Sequence, residues 1–98
     1  MKRILLLLVL GSALSGCGPQ LSSELIAGRT VMVTNAGEGP LKVERIIAND
    51  RVDRSECVDL PNVELAPGRS YTTTFFHCEE VREIDIETDA GWRELDFD

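Results

Sequence analysis

The sequence predicts an all-β fold: a small sandwich or partly open barrel of six or seven short antiparallel strands. Two observations carry this reading. Short segments alternate apolar and polar residues, the period of a half-buried strand, and turn residues separate them at near-regular spacing. No stretch sustains apolar residues at i, i+3, i+4 and i+7 over three turns, so helical signals are poor.

The first segment stands apart from the fold. Met1-Lys2-Arg3 is a short basic start. Ile4-Leu5-Leu6-Leu7-Leu8-Val9-Leu10 is an unbroken apolar run, followed by the small residues Gly11-Ser12-Ala13. Charged, then apolar, then small is the layout of a secretory signal. The run is shorter than the ~20 residues a lasting transmembrane helix needs. Leu14-Ser15-Gly16-Cys17 resembles the lipobox of bacterial lipoproteins. That resemblance implies a diacylglycerol on the Cys17 sulfur, cleavage just before Cys17, and acylation of the new amine. Two or three acyl chains anchor firmly, since each buried CH₂ contributes about 0.8 kcal/mol. Gly18, rather than Asp, follows the cysteine, which resembles the outer-membrane sorting case. The expected organisation is a cleaved signal over 1–16, a lipidated tether over 17–27 and a single small β-domain over 28–98. The expected location is the outer membrane, with the domain facing the periplasm.

Cleavage sharpens the charge. The chain carries 10 basic and 17 acidic residues, net −7. Loss of Lys2 and Arg3 leaves eight basic residues against 17, net −9. Such a field disfavours nucleic acid and anionic lipid surfaces and favours cations or basic partners, although solubility alone also accounts for it. Counting Cys17 as lipidated leaves Cys57 and Cys78, an even pair in an oxidising compartment, read as one structural disulfide. No Cys-x-x-Cys spacing marks a redox pair. A core of about 70 residues is marginal without such a staple. Closing a loop of about 20 residues contributes around 3 kcal/mol.

The strands follow in order. Thr30-Val31-Met32-Val33-Thr34 is β-branched, and residues 35–40 supply turn chemistry. Leu41-Lys42-Val43-Glu44-Arg45-Ile46-Ile47 alternates with a phase slip near Arg45, the mark of a bulge. Residues 48–62 are polar, hold Cys57, and read as a loop with one short turn or strand. Val63-Glu64-Leu65 alternates, and Ala66-Pro67-Gly68-Arg69 has the type II turn pattern. Ser70 to Phe76 is a strand by composition. Val81 to Thr88 alternates, residues 89–91 turn, and Trp92 to Asp98 alternates again. Val33-Thr34-Asn35-Ala36-Gly37, Pro40-Leu41-Lys42-Val43 and Leu65-Ala66-Pro67-Gly68-Arg69-Ser70 resemble immunoglobulin-like domains of the Hydin type. That resemblance implies an immunoglobulin-like sandwich.

The C-terminal hairpin is the most informative segment after the lipobox. A turn of two residues, Ala90-Gly91, or four, residues 89–92, places Thr88 opposite Arg93. Ile86 then faces Leu95 and Ile84 faces Phe97 on one side. Glu87 faces Glu94, Asp85 faces Asp96 and Glu83 faces Asp98 on the other. An odd turn would mix the faces, and a one-residue slip exchanges core and solvent sides. Like charges directly opposite destabilise a sheet. Four agents can offset them: a neighbouring Arg29, Lys42, Arg45 or Arg82, screening by water and salt, a basic partner protein, or Ca²⁺. No EF-hand spacing supports calcium, and alternating acids also protect an edge hairpin from aggregation.

Other residues are weaker signals. Asp50, Asp53, Glu56 and Asp59 recur every third residue, either a second cation site or a solvated loop partnered by Arg51 and Arg54. His77 is the lone histidine and cannot form a multi-His zinc site or a supported triad. Trp92 and Tyr71 are the aromatics that could mark a binding surface, but Trp92, at a hairpin end, is expected to cover the open end of the core. No phosphate loop, nucleophile elbow or metal-ligand cluster is present, so neither enzymatic activity nor a cofactor is expected. The readings in play are a lipid-anchored, non-catalytic interaction module for a basic envelope protein, an inhibitor of a basic enzyme such as lysozyme, and a divalent-cation-binding structural module.

Overall fold

A computed structural model describes residues 19–97. Cys17 and Asp98 lie outside the described residues. Within them the chain forms eight strands: β1 (Leu21–Ala27), β2 (Thr30–Asn35), β3 (Leu41–Ala48), β4 (Val58–Asp59), β5 (Val63–Leu65), β6 (Ser70–Thr74), β7 (Glu83–Thr88) and β8 (Gly91–Asp96). One 3₁₀ turn, Ser55–Cys57, precedes β4.

Two antiparallel sheets make a small sandwich. The first has the order β8-β7-β3-β4, with β5 also paired to β3, and the second has the order β1-β2-β6. β5 and β4 share one edge of β3: Leu41 to Val43 pair with β5, and Ile46 and Ile47 pair with β4. The core between the sheets holds Val43, Ile46, Ile84 and Ile86 from the first and Leu21, Val31 and Val33 from the second.

The expected phase slip in β3 is present. Leu41 and Val43 point inward, and so do Ile46 and Ala48. A strict period of two cannot put odd and even positions on one face. The register against β7 therefore shifts between Val43 and Arg45. Ile47 faces the other way, opposite Asp85, yet is only 2% exposed.

The structure differs from the sequence expectation in three places. The tether expected over 17–27 is largely strand: β1 pairs with β2 from Leu21↔Asn35 onward, and Leu21 is buried in the core. Its Ser-rich composition hid Leu21 and Leu25, which supply the inward positions. Next, β6 ends at Thr74 rather than Phe76. Phe75 is buried, and the Cys78 N–H donates to the Phe75 carbonyl at 3.3 Å, a turn that carries Cys78 inward to Cys57. The Cys57–Cys78 disulfide closes across 21 positions with Cα atoms 5.1 Å apart. Last, β7 begins at Glu83 and β8 ends at Asp96.

Two asparagines organise opposite ends of the sandwich. Asn35 is 1% exposed, and its side chain is fully used. Its Nδ2 donates to the Gly39 and Leu65 carbonyls, at 2.8 and 2.9 Å, and its Oδ1 accepts from the Gly37 N–H at 2.9 Å. Asn49 has φ 56°, a region Asn tolerates better than most residues. Its Oδ1 accepts from the Arg82 N–H at 2.8 Å, and its Nδ2 donates to the Glu80 carbonyl at 3.0 Å. Gly68, at φ 81°, fills the turn position that type II geometry reserves for glycine.

Candidate functional site

The β7–β8 hairpin forms with an even turn, so the expected separation of faces holds. The register itself is displaced by two residues. The turn is 89–90, and the pairs are Gly91↔Thr88, Trp92↔Glu87, Arg93↔Ile86, Glu94↔Asp85, Leu95↔Ile84 and Asp96↔Glu83. The expected pairs Glu87/Glu94, Asp85/Asp96 and Glu83/Asp98 are therefore corrected, as are Ile86/Leu95 and Ile84/Phe97. Turn chemistry decides the displacement. The Thr88 hydroxyl donates to the Gly91 carbonyl at 2.7 Å and accepts from the Ala90 N–H at 3.1 Å. Gly91 takes φ 116°, which its lack of Cβ permits. Beyond the strand, the Phe97 N–H donates to the Arg82 carbonyl at 2.9 Å.

Two like-charged pairs remain directly opposite, Asp85/Glu94 and Glu83/Asp96. Carboxylate oxygens of Glu83, Glu94 and Asp96 lie within 4.8 Å of one another. Partial burial, and then the charges of Glu94 and Asp96, push the Glu83 carboxyl above the ordinary carboxylate range. Burial also raises Asp85, followed by the charges of Glu94 and Asp50. Glu87 escapes this. It lies opposite Trp92 and takes a two-pronged contact from Arg45, Nη2 to Oε2 at 2.6 Å and Nε to Oε1 at 3.1 Å. Among the described residues, no Lys or Arg makes a salt bridge to Glu83, Asp85, Glu94 or Asp96. Of the four cations named from the sequence, Arg45 alone reaches a hairpin carboxylate in this way. The Arg29 Nε donates instead to the Cys78 carbonyl at 2.8 Å.

Trp92 does not cover the core. It is 64% exposed and shares the outer face with Glu87 and Glu94, while Leu95 and Phe97 pack against the core. In the series Asp50, Asp53, Glu56 and Asp59, only Glu56 and Asp59 take side-chain partners among the contacts of the described residues, and these partners are separate. Arg54 pairs with Glu56 at 2.9 Å, Arg51 pairs with Glu79 at 2.8 Å, and the Tyr71 hydroxyl donates to Asp59 at 2.6 Å. Burial and the Asp59 contact push Tyr71 up to about 12. His77 is exposed.

A cleft of about 650 Å³ borders the acidic face, lined by Asn49, Asp50, Arg51, Glu79, Glu80, Arg82 and Glu83. Sequence spacing gave no sign of it, because it joins the 49–51 turn to the 79–83 crossover. No protein-family model and no curated protein matches this chain.

Proposed function

We propose that the chain is an exported lipoprotein of the bacterial envelope, anchored in the outer membrane through Cys17, whose domain is a non-catalytic docking module for a basic protein. The docking surface is the outer face of β7 and β8. One observation carries this reading: Asp85/Glu94 and Glu83/Asp96 oppose each other with no salt-bridged cation among the described residues, while Glu87 on the same face has Arg45. A face of unneutralised carboxylates favours encounter with a positively charged surface. The Cys57–Cys78 staple supports a compartment outside the reducing cytosol.

Crosslinking on native membranes tests the proposal, with Glu94→Lys/Asp96→Lys in the same anchored protein as the control. A basic envelope protein recovered with the native face and lost with the reversed face is the expected result. Recovery no greater than from the reversed-face control overturns it. Lysozyme represents the enzyme-inhibitor version of this reading, and full lysozyme activity at excess domain removes that version.

The grouping of Glu83, Glu94 and Asp96 favours one second reading, a divalent-cation module. Calorimetry with Ca²⁺ is then expected to show binding that disappears in Glu94→Gln/Asp96→Asn. Absence of heat and of a melting shift ends it.

A further inference from the structure

We propose that one end of the sandwich rests on phospholipid headgroups, with Trp92 at the interface and the Glu83/Asp96 pair at the end of the hairpin farther from the bilayer. This rests on the Cys17 anchor proposed above and adds an orientation to it. The end in question carries the 36–40 loop, the 66–69 turn and the 89–90 turn.

The chain is fixed to the domain almost as soon as it leaves the anchor. Pro19 is buried, and its carbonyl accepts from Arg93 Nη1 at 3.3 Å. The next carbonyl, that of Gln20, accepts from the Ala36 N–H at 2.9 Å. Leu21 then enters the core opposite Asn35. Only Gly18 separates Pro19 from Cys17, so their Cα atoms are at most about 8 Å apart. A long Gly/Ser linker would let the domain tumble; this connection cannot extend that far.

Charge follows the same axis. Lys42, Arg69 and Arg93 lie near the anchored end, where they offset Glu38, Glu64 and Asp89. Asp50, Glu79, Glu80, Glu83 and Asp96 gather at the other end, around the cleft and the start of β7, and outnumber Arg51 and Arg82, which line the same cleft. Along β8, four positions separate Trp92 from Asp96, about 13 Å or between one and two Debye lengths at physiological salt, while Glu94 is about 7 Å from Trp92. Repulsion from headgroup phosphates is thereby weaker at Glu83 and Asp96 than beside Trp92. Trp92 follows the 89–90 turn and is 64% exposed. An exposed indole at the anchored end suits the membrane–water interface.

The test uses the full lipidated protein in phosphatidylethanolamine/phosphatidylglycerol vesicles containing lipids brominated close to the headgroup. Trp92 is the single tryptophan, so its emission reports its own depth. Trp92→Phe/Phe76→Trp moves the reporter to the far end, where Phe76 is 76% exposed. Quenching of Trp92, and loss of quenching with the reporter at position 76, is the expected result. Equal quenching at both positions, or quenching at 76 alone, overturns the orientation. The mass of the N-terminal peptide separates the two proposals. An unlipidated Cys17 overturns the anchor and the orientation together, whereas a lipidated Cys17 with unquenched Trp92 overturns the orientation alone.

Discussion

The outer faces of the two sheets solve the same cross-strand problem in opposite ways. On the β1-β2-β6 sheet, outward positions carry hydroxyls: Thr30 bonds Thr74 at 2.9 Å, and Thr34 bonds Ser70 at 2.7 Å. On the β7–β8 hairpin, the outward pairs are Glu83/Asp96 and Asp85/Glu94. A hydroxyl both donates and accepts, so two of them satisfy each other across a ladder. An ionised carboxylate only accepts, so two of them repel and must look outward. The first face is complete within the chain. The second leaves its electrostatics to water, salt, a cation or a partner.

The strongest way to break this arrangement is to cut what holds the sheets back to back. Cys78 lies on the crossover from β6 in one sheet to β7 in the other, and Cys57 immediately precedes β4. Cys57→Ala/Cys78→Ala is expected to lower stability by about 3 kcal/mol, measured by urea unfolding. A loss near zero would mean that packing alone joins the sheets.

Asn35→Ala comes next. It leaves the Gly39 and Leu65 carbonyls and the Gly37 N–H without their side-chain partner. Buried groups stripped of partners cost about 1–3 kcal/mol each, less where water enters, so a loss of about 2 kcal/mol is expected. Both faces should loosen together, because Asn35 ends β2 in one sheet and bonds β5 in the other. Hydrogen exchange that accelerates in only one sheet would contradict this.

The hairpin shows how much of this contrast the sequence carried, and where it stopped. Alternation alone placed Ile84, Ile86 and Leu95 inward and Glu83, Asp85 and Glu94 outward, since parity survives any even turn. Which acid meets which depended on Thr88 and Gly91, whose bonds close a two-residue turn at 89–90. Composition does not encode that choice, so three expected like-charged pairs became two. The bulge was legible because Val43 and Ile46 cannot otherwise share a face. β1 was not, because Ser22, Ser23 and Glu24 read as a linker until Leu21 and Leu25 meet β2. Trp92 was misplaced although its parity with Glu94 already put it on the outer face; the shifted register made it a strand residue opposite Glu87 rather than part of the turn.

A paired substitution sharpens the comparison through opposite signs. Thr30→Val removes one hydroxyl of a satisfied pair and should destabilise by about 0.5–1 kcal/mol. Glu94→Lys sets a cation opposite Asp85 and should stabilise by a few tenths of a kcal/mol, an order set by cross-strand ion pairs. The gain should shrink as salt rises, while the Thr30 effect should not. Thermal melts of both variants at low and high salt check this, and equal salt dependence would mean that the faces do not differ as described.

The gentlest probe is pH, and its sign is fixed by direction alone. Glu83 and Asp85 are raised in the folded protein above ordinary values of 4.5 and 3.8. Between the ordinary and raised values the folded state binds more protons than the unfolded one, so stability rises as pH falls through that window. Glu56 acts in reverse. Its own backbone N–H and then Arg54 hold its carboxyl below 4.5, so its stabilising contribution disappears only at lower pH. The melting temperature should therefore climb on acidification from neutrality, peak near the ordinary carboxylate range, and fall beyond it. Asp85→Asn should raise the melting temperature at neutral pH and flatten the climb, because the repulsion it relieves is the one that protonation otherwise removes. A native protein that only loses stability on acidification would show that the acidic face is already neutralised within the chain.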